Sequence, residues 1–343
     1  MNRRSFTRRA LLAASAISTL SFSAKPKRLI RPPRLKKGDQ VGLITPASYI
    51  DDEGLEKAVT NLEGLGLKVV MGDYIRSQYG SMAGNDDQRV ADLYRMFEDP
   101  TIKGIWCARG GYGAARLLAQ IDFRLLRRYP KVFVGYSDIT ALHCAIQRKS
   151  SFTTFHGPVG SSNFTEYTVA HLQATLFQSQ SNYTISIAPD QLEEGVADPT
   201  YLPYTITPGL ATGALTGGNL SLLSALAGTA YLPDLKGKLL FIEDIGEKPY
   251  RLDRMLTTLR QAWPLEQAAG IVLGVFAGCE ASAGSLSLNL RETLTDRLGD
   301  LGIPVFYGCS FGHIDHMCTL PMGIQAQLDT EAQTLTLLEP SVS

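Results

Sequence analysis

The chain lacks any charge imbalance: lysine plus arginine total 33 and aspartate plus glutamate total 33. No net field exists to gather nucleic acid or an anionic membrane non-specifically, so a small, locally recognised ligand is expected. Cysteine is scarce, with Cys107, Cys144, Cys279, Cys309 and Cys318 the only five. They form no CxxC pair and no cysteine–histidine spacing, which excludes a structural zinc site and a disulfide scaffold. They read as buried small apolar residues, although Cys309 and Cys318 are near enough in sequence to be bridged in an oxidising compartment if the geometry allows. Internal repeats and low-complexity tracts are also missing. What is present, 44% hydrophobic residues and 32 glycines in 343 residues, suits two globular domains.

The start of the chain carries Arg3-Arg4-Ser5-Phe6-Thr7 and Arg8-Arg9 before an apolar stretch from Ala10 to Leu20 and small residues up to Ala24. This pattern predicts a twin-arginine export signal over residues 1–24 and a periplasmic protein, cytoplasmic if the signal is not used. The apolar stretch is well short of the ~20 residues of a bilayer span, so no membrane attachment is expected after signal removal.

A basic linker over residues 25–37 leads to Gln40 to Ile44, a continuous apolar run that predicts a strand buried on both faces. Leu55, Ala58, Val59 and Leu62 then form a helical stripe ended by Gly64 and Gly66. The alternation continues with a strand at Leu67 to Met71, a helix through Val90, Leu93, Tyr94 and Phe97, and a strand at Ile102 to Cys107. A further cycle runs through Leu117 to Leu126, followed by a strand at Lys131 to Gly135 and a helix over Ile139 to Ile146. Alternating strands and helices predict a parallel sheet covered on both sides, in an N-terminal α/β domain over 38–160. Ligands of such sheets bind at the carboxyl ends of the strands.

Residues 161–212 are irregular in pattern and read as an interdomain region. A smaller mixed α/β domain over 213–343 follows, with helices at Leu220 to Ala227 and Leu252 to Ala262. Its strands are expected at Lys238 to Glu243, Ile271 to Phe276 and near Gln325 to Leu337.

Ser137 stands where a buried strand gives way to a helix. There it reads either as an exposed nucleophile whose intermediate is stabilised by the helix start, or as an ordinary N-cap. Arg109-Gly110-Gly111-Tyr112-Gly113 ends another predicted strand. Its glycines let backbone N–H groups approach a ligand, or form a plain turn. A dinucleotide loop is disfavoured, since Arg116 stands where GxGxxG needs its third glycine.

Three segments of the first domain, Gly84-Asn85-Asp86-Asp87-Gln88-Arg89, Trp106 to Gly113 and Val134-Gly135-Tyr136-Ser137-Asp138, resemble the LD-carboxypeptidases and their relatives, the microcin-immunity peptidases. The resemblance continues, in the same order, through Gly217-Gly218-Asn219-Leu220, Phe241 to Glu247 with Arg251 to Arg254, and Phe311-Gly312-His313 with Thr319 to Gly323. It spans about Gly38 to Leu328.

That resemblance implies a flavodoxin-like, class I amidotransferase-like N-terminal domain. It also implies a catalytic triad of Ser137, Glu243 and His313, and an oxyanion hole made by the N–H groups of Gly111 and Asp138. The activity implied is hydrolysis of an L,D-amide that frees D-alanine from a murein tetrapeptide, with no metal or organic cofactor, in a homodimer. Serine is inert at its free pKa, so the histidine as base and the carboxylate as its orienter each have a task. Because Ser137 belongs to the first domain and its partners to the second, the site is expected in an interdomain cleft that small movements could open or close.

Binding of the substrate carboxylate and its surroundings falls to Arg109, Gly110, Tyr112 and Arg251 as candidates, an arginine offering a bidentate fork. Glu247 is a rival carboxylate; His143, His156 and His316 are rival bases. Other readings are a microcin-immunity-like peptidase acting on peptide antibiotics, a cysteine amidotransferase-like enzyme built on Cys107, and a non-catalytic periplasmic peptide-binding protein.

Overall fold

A computed structural model describes residues 28–343. The export pattern in the first 24 residues lies outside the described residues. The strands in chain order are β1 (Gln40–Ile44), β2 (Lys68–Met71), β3 (Ile102–Cys107), β4 (Val132–Gly135), β5 (Phe155–His156), β6 (Tyr183–Ile185) and β7 (Tyr204–Thr207). They continue with β8 (Leu210–Asn219), β9 (Lys238–Glu243), β10 (Gly270–Val275), β11 (Val305–Gly312), β12 (Leu320–Pro321), β13 (Gln325–Asp329) and β14 (Thr334–Leu337). The helices are α1 (Asp52–Gly64), α2 (Asp86–Glu98), α3 (Phe123–Arg128), α4 (Thr140–Lys149) and α5 (Glu166–Leu172), then α6 (Pro189–Ala197), α7 (Leu220–Ala225), α8 (Pro249–Ala262) and α9 (Leu290–Leu298).

The first sheet has the order β12-β5-β4-β3-β1-β2. β2, β1, β3, β4 and β5 run parallel, and β12 joins the β5 edge antiparallel. The order reverses between β1 and β3, so a crevice opens at the carboxyl ends of those strands. In β4, Val132 and Val134 point into the core under α1, whereas Phe133 points to the core beneath α2 and α4, the two-residue alternation of a strand covered on both faces. α1 begins at Asp51, whose side chain accepts the Gly54 N–H, and it buries Leu55, Ala58 and Leu62 as the stripe requires. α2 begins with a reciprocal capping box between Asn85 and Gln88.

The second sheet has eight strands in the order β6-β14-β13-β8-β9-β10-β11-β7. Its middle, β8 to β11, is parallel, and both margins are antiparallel. The stretch 161–212, irregular in pattern, holds α5, α6 and the margin strands β6 and β7. The single strand expected near 325–337 is the β13–β14 hairpin.

The two units share a core. One apolar cluster runs from Phe97, Phe133 and Leu142 of the first unit to Leu223, Ile242, Leu256 and Leu273 of the second. α4 packs against β8 and α7 inside that cluster, and the join is tied by buried polar contacts. Thr140 Oγ1 accepts the Asn219 N–H at 2.9 Å, and Gln147 Nε2 donates to the Leu215 carbonyl at 3.0 Å. A continuous, hydrogen-bonded core does not hinge as two free lobes.

Gly218 is where the join is tightest. Its φ is +140°, and a Cβ there would lie 2.4 Å from Thr140 Oγ1 and 2.5 Å from Thr140 Cγ2. Gly218→Ala is expected to cost about 1–3 kcal/mol through overpacking and a backbone that L-residues rarely adopt. The loss is read as a lower Tm in a calorimetric scan; an unchanged Tm would mean that the join yields.

Candidate functional site

Ser137 follows β4 and opens a single turn of 3₁₀-helix, Ser137–Ile139, ahead of α4. Its φ is +61°, a left-handed conformation unusual for a non-glycine residue. Its hydroxyl caps no helix N–H, because it meets His313 instead, at 3.1 Å from Nε2. The other ring nitrogen of His313, Nδ1, lies 2.8 Å from Glu243 Oε2. Glu243 is the last residue of β9 and is fully buried, and His313 directly follows β11. Three residues distant in sequence therefore meet at the carboxyl ends of β4, β9 and β11. The hydroxyl touches the imidazole with no closure of the cleft.

Burial disfavours the imidazolium, but the Glu243 charge and hydrogen bond, with Asp244 behind them, outweigh it and hold His313 above its ordinary pKa. Asp244 is locked in turn by Asn219 Nδ2 and by the N–H and hydroxyl of Ser221. The Tyr136 ring lies 4.9 Å from that of His313, and burial, with Glu243 adding to it, pushes its phenol up to about 12.

Arg109-Gly110-Gly111 leaves β3 alongside Ser137. A Cβ on Gly110 would lie 3.0 Å from Ser137 Cβ and 3.3 Å from Ser137 Oγ, so bare backbone is what allows the approach. Gly111 has φ +106° and sits against Ser48, whose hydroxyl accepts the Tyr112 N–H at 3.0 Å. Asp138 is buried; its carboxylate accepts the Ala114 N–H at 2.7 Å and is pushed up to about 6 by burial.

A cavity of about 330 Å³ opens beside these groups, bordered by Arg109, Gly110, Gly111, Tyr136, Ser137 and His313. Its outer wall is the α1 entrance, Ile50, Asp51 and Gly54, with Val159 and Ser161 opposite. None of these wall residues stands out in the sequence, since each is an ordinary loop or helix-start residue there. Arg109 donates from Nη1 to the Tyr49 carbonyl at 3.1 Å. Tyr112 is 58% exposed and does not border this cavity, nor does Arg251, which faces solvent beside Tyr250 and Glu247.

The rival groups sit elsewhere. His143 is buried between Thr154 Oγ1 and the Gly135 carbonyl, and burial pushes it down to about 4. His156 is fully buried among Tyr136, Phe241 and Phe311, with neither ring nitrogen partnered and its pKa driven well down by burial. His316 faces Asp190 and Glu194. Glu247 pairs with Arg251. Cys107 is wholly buried at the end of β3, and burial drives its thiol far from ionisation, which leaves a thiolate mechanism no nucleophile. All five cysteines are free and buried. Among the described residues no group of three or more His, Cys, Asp or Glu could hold a metal ion, and no helix is long and apolar enough to cross a membrane.

A two-sheet α/β fold in which a strained serine, a histidine and a buried carboxylate form one hydrogen-bonded chain has the form of a serine hydrolase. The chain belongs to the LD-carboxypeptidase family: residues 41–157 match its N-terminal domain and residues 212–328 its C-terminal domain. It is therefore a peptidase. It is 41% identical to the probable murein peptide carboxypeptidase of Bacillus subtilis (strain 168), over 91% of this chain and 95% of that one. The murein tetrapeptide carboxypeptidase of Pseudomonas aeruginosa is 32% identical over 84% of this chain and 93% of its own length. Among solved structures, an MccF-like protein from Bacillus anthracis str. Ames superposes with a TM-score of 0.76 at 31% identity, covering 90% of this chain and 99% of that one.

Proposed function

We propose that the chain is a serine carboxypeptidase that hydrolyses an L,D-amide and releases D-alanine from the end of a murein tetrapeptide. The observation that carries this reading is the chain from Ser137 Oγ through His313 to Glu243, with contacts of 3.1 and 2.8 Å. His313 Nε2 takes the hydroxyl proton as Oγ attacks the amide carbonyl, and Glu243 keeps Nδ1 protonated and stabilises the imidazolium. The oxyanion of the tetrahedral intermediate falls to the backbone N–H groups of Gly111 and Asp138. His313 then gives its proton to the leaving amine of D-alanine, and water, deprotonated by the same ring, hydrolyses the acyl-enzyme.

The reading of Arg109 as the holder of the substrate's carboxylate is supported by its position on the cavity wall, whereas Arg251 and Tyr112 lie away from that cavity. The names of the Bacillus and Pseudomonas relatives favour murein peptides as substrate. We further read the protein as exported and homodimeric.

Purified enzyme incubated with a murein tetrapeptide should release free D-alanine, detected by mass spectrometry, and leave an L-alanine-ended peptide intact. The resemblance of the sequence motifs to the microcin-immunity peptidases supports a second reading, cleavage of a peptide antibiotic; turnover of such a compound with none of the tetrapeptide would select it.

The reaction needs His313 neutral, and its pKa is raised, so kcat/KM is expected to fall as pH drops through a value above the ordinary ~6.5 of imidazole. Burial pushes the Asp138 carboxyl up to about 6, within the range of the same limb. Asp138→Asn should leave the His313 limb of the pH profile where it is. A wild-type limb below 6.5 would contradict the raised pKa.

A further inference from the structure

Arg89 ends the Gly84-Asn85-Asp86-Asp87-Gln88-Arg89 motif, for which the triad has no use. It is 1% exposed, one of the largest fully buried side chains. A cation is kept there only if its surroundings compensate it; Nε has no partner, and the two terminal nitrogens carry the compensation, against Asp86 and the backs of two site loops. Nη1 donates at 2.7 Å to the Pro46 carbonyl, in the loop that leaves β1 and leads to Ser48. The same nitrogen would lie 2.8 Å from a Cβ on Gly113, so the guanidinium abuts the loop leaving β3 where only a glycine leaves it room. Asp138, beside Ser137 in the turn leaving β4, holds the next residue of that loop by accepting the Ala114 N–H at 2.7 Å.

Nη2 pairs with Asp86, which Arg116 grips from the solvent side through Nε and Nη2 at 3.0 and 2.9 Å. Arg116 rides on the turn Ala114–Leu117, so the far side of the same loop is anchored too.

We propose that Arg89 is a positioning residue for catalysis: acting on the Gly113–Ala114 segment, which Asp138 holds from the other side, it sets the spacing between the Gly110–Gly111 backbone and Ser137. The proposal rests on the Ser137 reading above. It makes the transition state, and not the bound substrate, the species that depends on Arg89, because the spacing matters most when an oxyanion forms between the two loops. A fork that reaches a carbonyl and a carboxylate at once is also something lysine cannot copy.

The test uses the whole chain, with Arg89→Lys, Asp138→Asn and the double variant assayed on the tetrapeptide. R89K keeps the charge and loses the fork. It is expected to lower kcat about 10–100-fold with KM within about threefold, the split of an interaction made only in the transition state. D138N should show the same split. The double variant should lose much less than the product of the two single losses, since both act through one link.

Wild-type kcat in R89K, a loss lying wholly in KM, or multiplicative losses in the double variant would overturn the proposal. Should R89K not fold, D138N decides alone: kcat lowered at constant KM supports the proposal, and unchanged kcat overturns it. Full activity in Ser137→Ala would instead sink the nucleophile reading itself, so the two failures are distinguishable.

Discussion

Ser137→Ala is expected to lower kcat/KM for D-alanine release by roughly 10⁴- to 10⁶-fold, the range found when a triad nucleophile is removed and only binding and oxyanion contacts remain. The fold should survive, because the hydroxyl's contact is with His313 and not with a helix end. KM or a measured Kd for the tetrapeptide should hardly move, since the cavity wall formed by Arg109, Tyr136 and the α1 entrance is untouched. A serine-directed fluorophosphonate that labels wild type and spares the variant gives a second readout. The strained φ of +61° adds a further expectation. Relief of ~1–3 kcal/mol of strain competes with the ~0.5–1 kcal/mol entropic cost of glycine, so Ser137→Gly should be as inactive as S137A and at least as stable. Activity in S137A within tenfold of wild type would end the serine-peptidase mechanism for this chain.

The second large effect concerns Glu243. Glu243→Gln keeps the shape of the side chain and removes the charge that His313 leans on. An amide at this position can reverse the tautomer of the ring, and the corresponding change in other serine peptidases costs about 10⁴-fold in kcat. The pH profile should also move in a definite direction. In the wild type the Glu243 charge and hydrogen bond raise the His313 pKa against burial; in E243Q only the weaker pull of Asp244 opposes burial, so the acid limb should shift to lower pH while the plateau falls.

Stability follows the same sign. A raised folded-state pKa contributes stability that is present below the unfolded pKa of His313 and is lost as pH rises through the folded one, so the wild-type advantage over E243Q should shrink from acid to alkaline pH. Chemical denaturation at two pH values reads this. A limb that stays in place would mean that Glu243 does not govern the protonation of His313.

Much of this architecture was legible because it is written in local patterns. β1, β3 and β9 are apolar runs whose bounds fall where the residues change character, and the apolar stripe of α1 coincides with the face it buries. Short margin strands were not legible. β6 and β7 are rich in Thr and Tyr with no clear alternation, and β12 is two residues long; each is a strand only because a neighbour with unpaired backbone groups lies beside it. The β13–β14 hairpin reads as one strand because its turn, Thr330 to Gln333, carries no glycine or proline.

At the site, the residue types and their motif order are present in the sequence, since chemistry restricts which side chains can serve as nucleophile, base and orienter. The left-handed Ser137 and the buried Arg89 have no local signal, and neither do the cavity walls at Ile50, Val159 and Ser161.

By itself, then, the sequence determined the strand–helix alternation, the two-sheet class and the inventory of reactive groups, because periodicity and side-chain chemistry are properties of neighbouring residues. Only the tertiary structure decided that one core joins the two units and that His313, not His143 or His156, meets Ser137. It also decided that a buried guanidinium backs the loops around that serine. Those outcomes depend on residues 43 to 176 positions apart arriving within hydrogen-bond reach, and burial and strand order set such distances where no local pattern can.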